Sequence, residues 1–233
     1  MSFRAKKVIA LIPARGGSKG VHRKNLRLIQ GRPLVAHSLQ AALDCTLIDQ
    51  VVLSSDDAEI LAVGRHLGVQ LHQRSPAAAS DSATANEVMH DFLAGLPRDV
   101  LAADPFVVFL QPTSPLRTGK DIDAAFALLE SSQAELCISV VEVNKTPFKS
   151  FTLGATGCLQ ALFDESMTNA NRQTLPKIFY PNGAIYIFPL HAFVNKGGFP
   201  SNGAIPYVMP ESRSIDVDSE EDLQAIERLC PEK

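Results

Sequence analysis

Val8-Ile9-Ala10-Leu11-Ile12-Pro13-Ala14-Arg15-Gly16-Gly17-Ser18-Lys19-Gly20 joins an apolar run to a glycine-rich turn, and that junction sets the class of the whole chain. The run from Val8 to Ile12 carries no polar residue on either face, as in a strand covered on both sides. In the turn, glycines permit sharp bends and close approach, so backbone N–H groups can face an anion. Arg15, Lys19 and Lys24 place positive charge around the same hollow, with Asn25 next to Lys24. A strand opening into such a loop suits a polyphosphate. The spacing is neither that of a Walker A loop nor GxGxxG. The expectation therefore rests on the basic residues behind the strand, since many glycine loops only connect a strand to a helix.

Strand-like and helix-like stretches alternate outward from this junction. Helical patterns cover 33–43, 58–67, 84–93 and 121–129; apolar strand patterns cover 50–54, 69–72, 106–110 and 136–143. Pro33 opens the first helix and Gly68 closes the second. This rhythm predicts an α/β fold: a Rossmann-like, doubly wound, mostly parallel sheet with helices on both faces. Ligands of such sheets sit beyond the carboxyl ends of the strands, which is where the 13–20 loop falls. From about 144 to 180 the rhythm breaks into turn residues and scattered basic side chains, an excursion from one domain spanning 1–233. It returns with strands at 184–188 and 205–209 and a helix at 220–229.

The 233 residues are 45% hydrophobic, enough for one large α/β domain. A net charge of −3 gives no basic field for nucleic acid. No stretch has the length and apolarity of a membrane span, and the N-terminus lacks a secretory apolar region. Cys45, Cys137, Cys158 and Cys230 are widely spaced, which reads as reduced thiols in a cytoplasmic protein.

Four further clusters carry chemistry. Gln111-Pro112-Thr113-Ser114-Pro115-Leu116-Arg117 follows the 106–110 strand, and its prolines hold it extended at the sheet's carboxyl edge. A rigid strand-to-helix connection would look the same. In Ser214-Ile215-Asp216-Val217-Asp218-Ser219, period two puts both carboxylates on one side, a hard-cation pair of the kind Mg²⁺ takes together with phosphate oxygens. Ser219 and Asp222 also read as a helix N-cap. Arg74 and Ser80-Asp81-Ser82-Ala83-Thr84 offer either ordinary caps or readers of a base edge. Asn182-Gly183, ahead of Ala184-Ile185-Tyr186, is either a turn or a ligand contact at a strand mouth. The histidines show no metal spacing.

Taken in order over essentially the whole chain, these motifs resemble the CMP-sialic acid synthetase family, the cytidylyltransferases of nine-carbon sugar acids. The ordered set is Ala14 to Gly20, Lys24-Asn25, Arg74, Ser80 to Ala83, Leu110 to Arg117, Arg172-Gln173, Asn182 to Tyr186 and Ser214 to Asp218. The resemblance implies a nucleotide-diphospho-sugar transferase-like fold. It implies that CTP and a 2-keto-3-deoxy sugar acid give a CMP-sugar and pyrophosphate with Mg²⁺. It implies that Arg15, Ser18, Lys19, Lys24 and Asn25 hold the triphosphate, that Arg74, Ser80, Ala83 and Ala85 surround cytosine and ribose, and that Asp216 and Asp218 carry the metal. Arg15, Lys24 and Asp216 are the catalytic set. Gln111, Asn182, Tyr186 and Phe199 would contact the sugar. The family pairs two subunits through the excursion, so Lys149 and Arg172 would reach the partner's sugar carboxylate in a homodimer. Tyr180 stands where several bacterial members carry Arg, which leaves legionaminic or another nonulosonic acid open. An eight-carbon keto-sugar acid, or a nucleotide-binding dimer without catalysis, are the alternatives.

Overall fold

The structure, a computed structural model, describes residues 5–18 and 20–229. β1 (Val8–Pro13) is buried along its apolar run and sits in the middle of the main sheet. A small hairpin of β2 (Leu28–Ile29) and β3 (Arg32–Pro33) leads into α1 (Leu34–Leu43). Then follow β4 (Gln50–Ser55), α2 (Ala58–His66), β5 (Gln70–Gln73), α3 (Ala85–Ala94), α4 (Arg98–Ala102), β6 (Phe106–Phe109), α5 (Gly119–Ser131) and β7 (Cys137–Glu142). The excursion holds a second hairpin, β8 (Phe151–Leu153) with β9 (Leu159–Ala161), and one helical turn, α6 (Glu165–Thr168). The chain closes with β10 (Phe179–Pro189), α7 (Leu190–Lys196), β11 (Ile205–Val208) and α8 (Glu220–Leu229).

The seven-stranded sheet runs in the order β11-β7-β10-β6-β1-β4-β5. Every pairing is parallel except those of β10, which lies antiparallel between β6 and β7. The strand alternation sorts side chains into two cores. Val8, Ala10 and Ile12 pack with Val35, Leu39, Ile60, Ile122 and Phe126 under α1, α2 and α5. Ile9 and Leu11 pack with Met89, Phe92, Phe188 and Phe193 under α3 and α7. Helices therefore cover both faces, as the sequence predicts.

Two differences from the sequence reading have physical causes. β10 starts at Phe179 rather than 184: its register against β7 shifts between Pro181 and Tyr186, with Gly183 at φ +74°. Asn182-Gly183 is thus a bulge inside a strand, not a turn before one. The short helices α4 and α7 were not anticipated, since neither is long enough to show a helical period.

Candidate active site

Three carboxyl ends, those of β1, β5 and β6, lead into one cavity of about 600 Å³. It is lined by Arg15, Ser18, Lys24, Asn25, Arg74, Ala83, Ala85, Gln111, Asp216 and Asp218, all singled out from sequence. Phe109, Pro112 and Thr113 also line it and were not assigned a role; their signal was position, since each belongs to the strand end or proline segment already read as facing the site. Lys19 lies outside the described residues.

The loop after β1 is pinned by its neighbours. Asn25 is buried and its Nδ2 donates to the Arg15 carbonyl at 2.9 Å, while the Gly16 N–H donates to Asp56 at 3.0 Å. A Cβ on Gly20 would stand 2.2 Å from the Asp218 carbonyl oxygen, so only glycine lets loop and acidic segment pack backbone to backbone. Lys24 fastens the same junction, donating to the Val217 carbonyl at 2.6 Å and pairing with Asp218 at 3.0 Å. Arg15 reaches across to Asp81 at 3.3 Å and to the Ser80 carbonyl at 3.4 Å, placing Ser80 at the rim. Arg74 is buried, donating to the Ser54 carbonyl at 3.0 Å; burial pushes its guanidinium below its ordinary range.

On the opposite wall, Thr84 caps α3 in a reciprocal box with Glu87. Ala83 and Ala85 therefore line the cavity at the helix's electropositive end with nothing larger than a methyl group. The 111–117 segment is held from behind by Arg117, which is 2% exposed and donates to the Ala184 carbonyl at 2.7 Å and the Gln111 carbonyl at 3.3 Å. Burial pushes its pKa down to about 9. Gln111 packs over the β10 bulge, where a Cβ on Gly183 would meet its Oε1 at 2.3 Å.

Between the two acids, Val217 is buried and its N–H donates to the Thr113 carbonyl at 2.8 Å, which leaves Asp216 and Asp218 open to the cavity. Burial against the wall raises the Asp216 carboxyl, and Asp218 adds to this; a hydrogen bond from Thr113 and the Lys24 charge oppose it. Among the described residues no group of three or more His, Cys, Asp or Glu could hold a metal by itself. Two carboxylates beside a cation-lined loop match Mg²⁺ all the same, because that ion takes one or two carboxylates and completes its shell with phosphate oxygens and water.

The residues expected to meet a sugar are dispersed. Tyr186 and Phe199 pack edge-on against Phe109, with ring centroids 6.4 and 4.7 Å from it, forming an aromatic wall behind the cavity. Burial, then the Asp216 charge, raises the Tyr186 phenol. Asn182 turns into the interior, where Ser139 and Ser214 bond its amide; a side chain so placed does not offer itself to the cavity. Lys149 and Arg172 sit on the excursion, away from the cavity lining, and Arg172 donates to the Asn144 carbonyl.

Comparison with known proteins agrees with this geometry. The chain is 32% identical over 223 residues to an N-acylneuraminate cytidylyltransferase of Streptococcus agalactiae, covering 93% of this chain and 52% of that protein. It is 30% identical over 227 residues to the CMP-N,N'-diacetyllegionaminic acid synthase of Legionella pneumophila, covering 96% of each. The chain thus spans about half the length of the streptococcal relatives it matches and nearly all of the Legionella one. A solved CMP:2-keto-3-deoxy-manno-octonic acid synthetase, complexed with CTP, superposes with a TM-score of 0.67 at 15% identity over 96% of this chain and 98% of that one, a likeness of fold. The sequence profile of the cytidylyltransferase family matches residues 9–188, from the second residue of β1 to the next-to-last residue of β10. Since that span carries the β1 loop, Arg74, the α3 cap and the proline segment, the chain belongs to the cytidylyltransferase family.

Proposed function

We propose that the protein transfers CMP from CTP to the anomeric hydroxyl of a nine-carbon 2-keto-3-deoxy sugar acid, such as N-acetylneuraminic acid or legionaminic acid, releasing pyrophosphate. The observation that carries this reading is a single cavity joining a cation-lined loop (Arg15, Lys24) to a carboxylate pair (Asp216, Asp218). The names of the streptococcal and Legionella relatives support the sugar class.

In this reading the hydroxyl releases its proton to solvent, its oxygen bonds to the α-phosphorus, the bond from that phosphorus to the β-phosphate oxygen breaks, and pyrophosphate leaves. Such transfers depend mainly on positioning and charge neutralisation. Arg15 and Lys24 offset phosphate charge; Ser18 and Asn25 hold the loop around it. Arg74 and the 83–85 backbone flank the base and ribose. Asp216 and Asp218 would hold Mg²⁺, which when bound screens the phosphates. Gln111 and the Tyr186–Phe199 wall face the sugar side. The excursion joins two copies, so that Lys149 and Arg172 complete the neighbour's sugar site.

CTP with Mg²⁺ should raise the melting temperature by mass action, and ATP or GTP should raise it far less. Pyrophosphate release should follow when a nine-carbon keto acid is added. Equal stabilisation by all four triphosphates would sink the cytosine assignment; turnover only with an eight-carbon acid would move the substrate.

A further inference from the structure

Asn182 is 5% exposed, and every polar atom of its side chain has a partner. Its Oδ1 accepts from Ser139 Oγ at 2.6 Å and from the Ala184 N–H at 3.2 Å. Its Nδ2 donates to Ser214 Oγ at 2.9 Å and to the Met209 sulfur at 3.3 Å. The directions are fixed by proton count. The Ala184 N–H can only donate, so the amide atom facing it is Oδ1; Ser214 Oγ gives its proton to the Pro210 carbonyl, so it accepts from Asn182. An inverted amide would set donor against donor at the Ala184 N–H.

One buried residue in the β10 bulge therefore ties β7 to the segment that leaves β11. Ser214 stands two residues before Asp216. Beyond the three-residue turn Glu211–Arg213, the stretch from 214 to 218 has no regular structure to set its path. Its position rests on the Ser214 tie, the Val217 bond to Thr113, the Lys24 contacts and the Gly20 packing.

We infer that Asn182 is a positioning residue that holds the Asp216-bearing segment at the cavity through Ser214, rather than a group that touches the sugar; this rests on the cytidylyltransferase reading. A buried amide satisfied on all sides is costly to disturb. Displacing a reacting constellation by about 1 Å can cost on the order of 100-fold in rate.

The test uses Asn182→Ala and Ser214→Ala, with the sugar acid KM, kcat and amide hydrogen exchange of the 210–218 segment read for each. Ser214→Ala removes the tie while leaving the Asn182 amide in place, so it remains informative if Asn182→Ala folds poorly. Both variants should lower kcat by about 10- to 100-fold, leave the sugar acid KM within about twofold, and speed exchange at the Val217 amide by roughly 10-fold. The double variant should be no worse than the more impaired single one, since both cut one tie. A rise in sugar acid KM of about tenfold or more in Asn182→Ala, with exchange and Ser214→Ala both normal, would overturn the inference in favour of direct contact. A wild-type protein that releases no pyrophosphate with any sugar acid defeats the cytidylyltransferase reading alone. Exchange in the two variants still decides the tie, which is upheld by faster exchange and overturned by none.

Discussion

The cleft and the excursion handle their side chains in opposite ways. Around the cleft, most buried polar groups are matched: Asn25, Arg74, Ser114, Asp121, Ser139 and Asn182 lie inside with hydrogen-bond partners, those of Ser114, Asp121, Ser139 and Asn182 more than 40 residues away in sequence, while Arg117 keeps its Nε and Nη2 unpaired. On the excursion, apolar groups are exposed: Leu153 at 76% and Leu159 at 69% stand largely in solvent, and Phe151, Leu162 and Phe163, the last edge-on against Phe148, are half exposed. A region that leaves a row of large apolar side chains uncovered, on a two-stranded hairpin that is marginal in isolation, gains stability from a second surface. The cleft gathers cations and carboxylates around one cavity; the excursion leaves apolar surface uncovered.

The sharpest break in the cleft is Asp216→Asn. It removes one of two carboxylates with little change in volume, so folding should be retained while kcat falls by a factor of about 10²–10⁴, the scale of losing a key electrostatic stabiliser. Pyrophosphate release at saturating Mg²⁺ measures it; near-normal turnover would pass the role to Asp218 or remove it. On the excursion, Leu153→Lys with Leu159→Lys places like charges on paired positions of the hairpin. If this face joins two copies, sedimentation should show dimers replaced by monomers; an unchanged oligomer would assign the contact elsewhere.

The two regions meet in the third prediction. Arg172→Ala should raise the KM for the sugar acid by about tenfold, the scale of a lost charge-assisted bond, and leave that for CTP nearly unchanged. Mixing Arg172→Ala with Asp216→Asn subunits should restore activity, because each mixed dimer regains one intact site. No recovery despite proven subunit exchange would confine each site to one chain.

The smallest effect concerns a support behind the cleft. Burial alone would raise the Asp121 carboxyl, but bonds from Thr118, Arg213 and Tyr207 outweigh it and hold it below the usual carboxylate range. The folded pKa is thus depressed. The stabilisation is present above the unfolded value of about 3.9 and is lost as pH falls through the folded value. Asp121→Asn should cost about 1–3 kcal/mol at neutral pH, and its melting temperature should fall less steeply than the wild type's below about pH 4. Parallel acid curves for the two proteins would place that acid sensitivity in other carboxylates.

Local pattern was enough to place most of the cleft. Val8 to Ile12 has only one way to bury an apolar run in an α/β chain, and strands of a parallel sheet carry their loops to a common edge. Strand direction therefore puts Arg15, Lys24 and Gln111 at that edge, while Arg74 and the division of roles came from the family resemblance. An extended path would put Asp216 and Asp218 on one side, but 214–218 is not a strand, and ties to Thr113, Lys24 and Asn182 set its path. The excursion was legible as a break in rhythm, but not as a hairpin, because three-residue strands show no period.

Asn182 marks where sequence stopped. Asn-Gly before a strand looks the same whether the amide faces a ligand or the interior, since the local chain does not record what packs on its other side. Only the fold brings Ser139 from β7 and Ser214 from beyond β11 within hydrogen-bond reach of it. Gly20 teaches the same point: the need for glycine there comes from the Asp218 carbonyl, 198 residues away in sequence. Sequence by itself determined which residues face the carboxyl edge, because strand direction and period are local. Tertiary structure decided which of them face the cavity and which hold it in place, because that depends on partners distant along the chain.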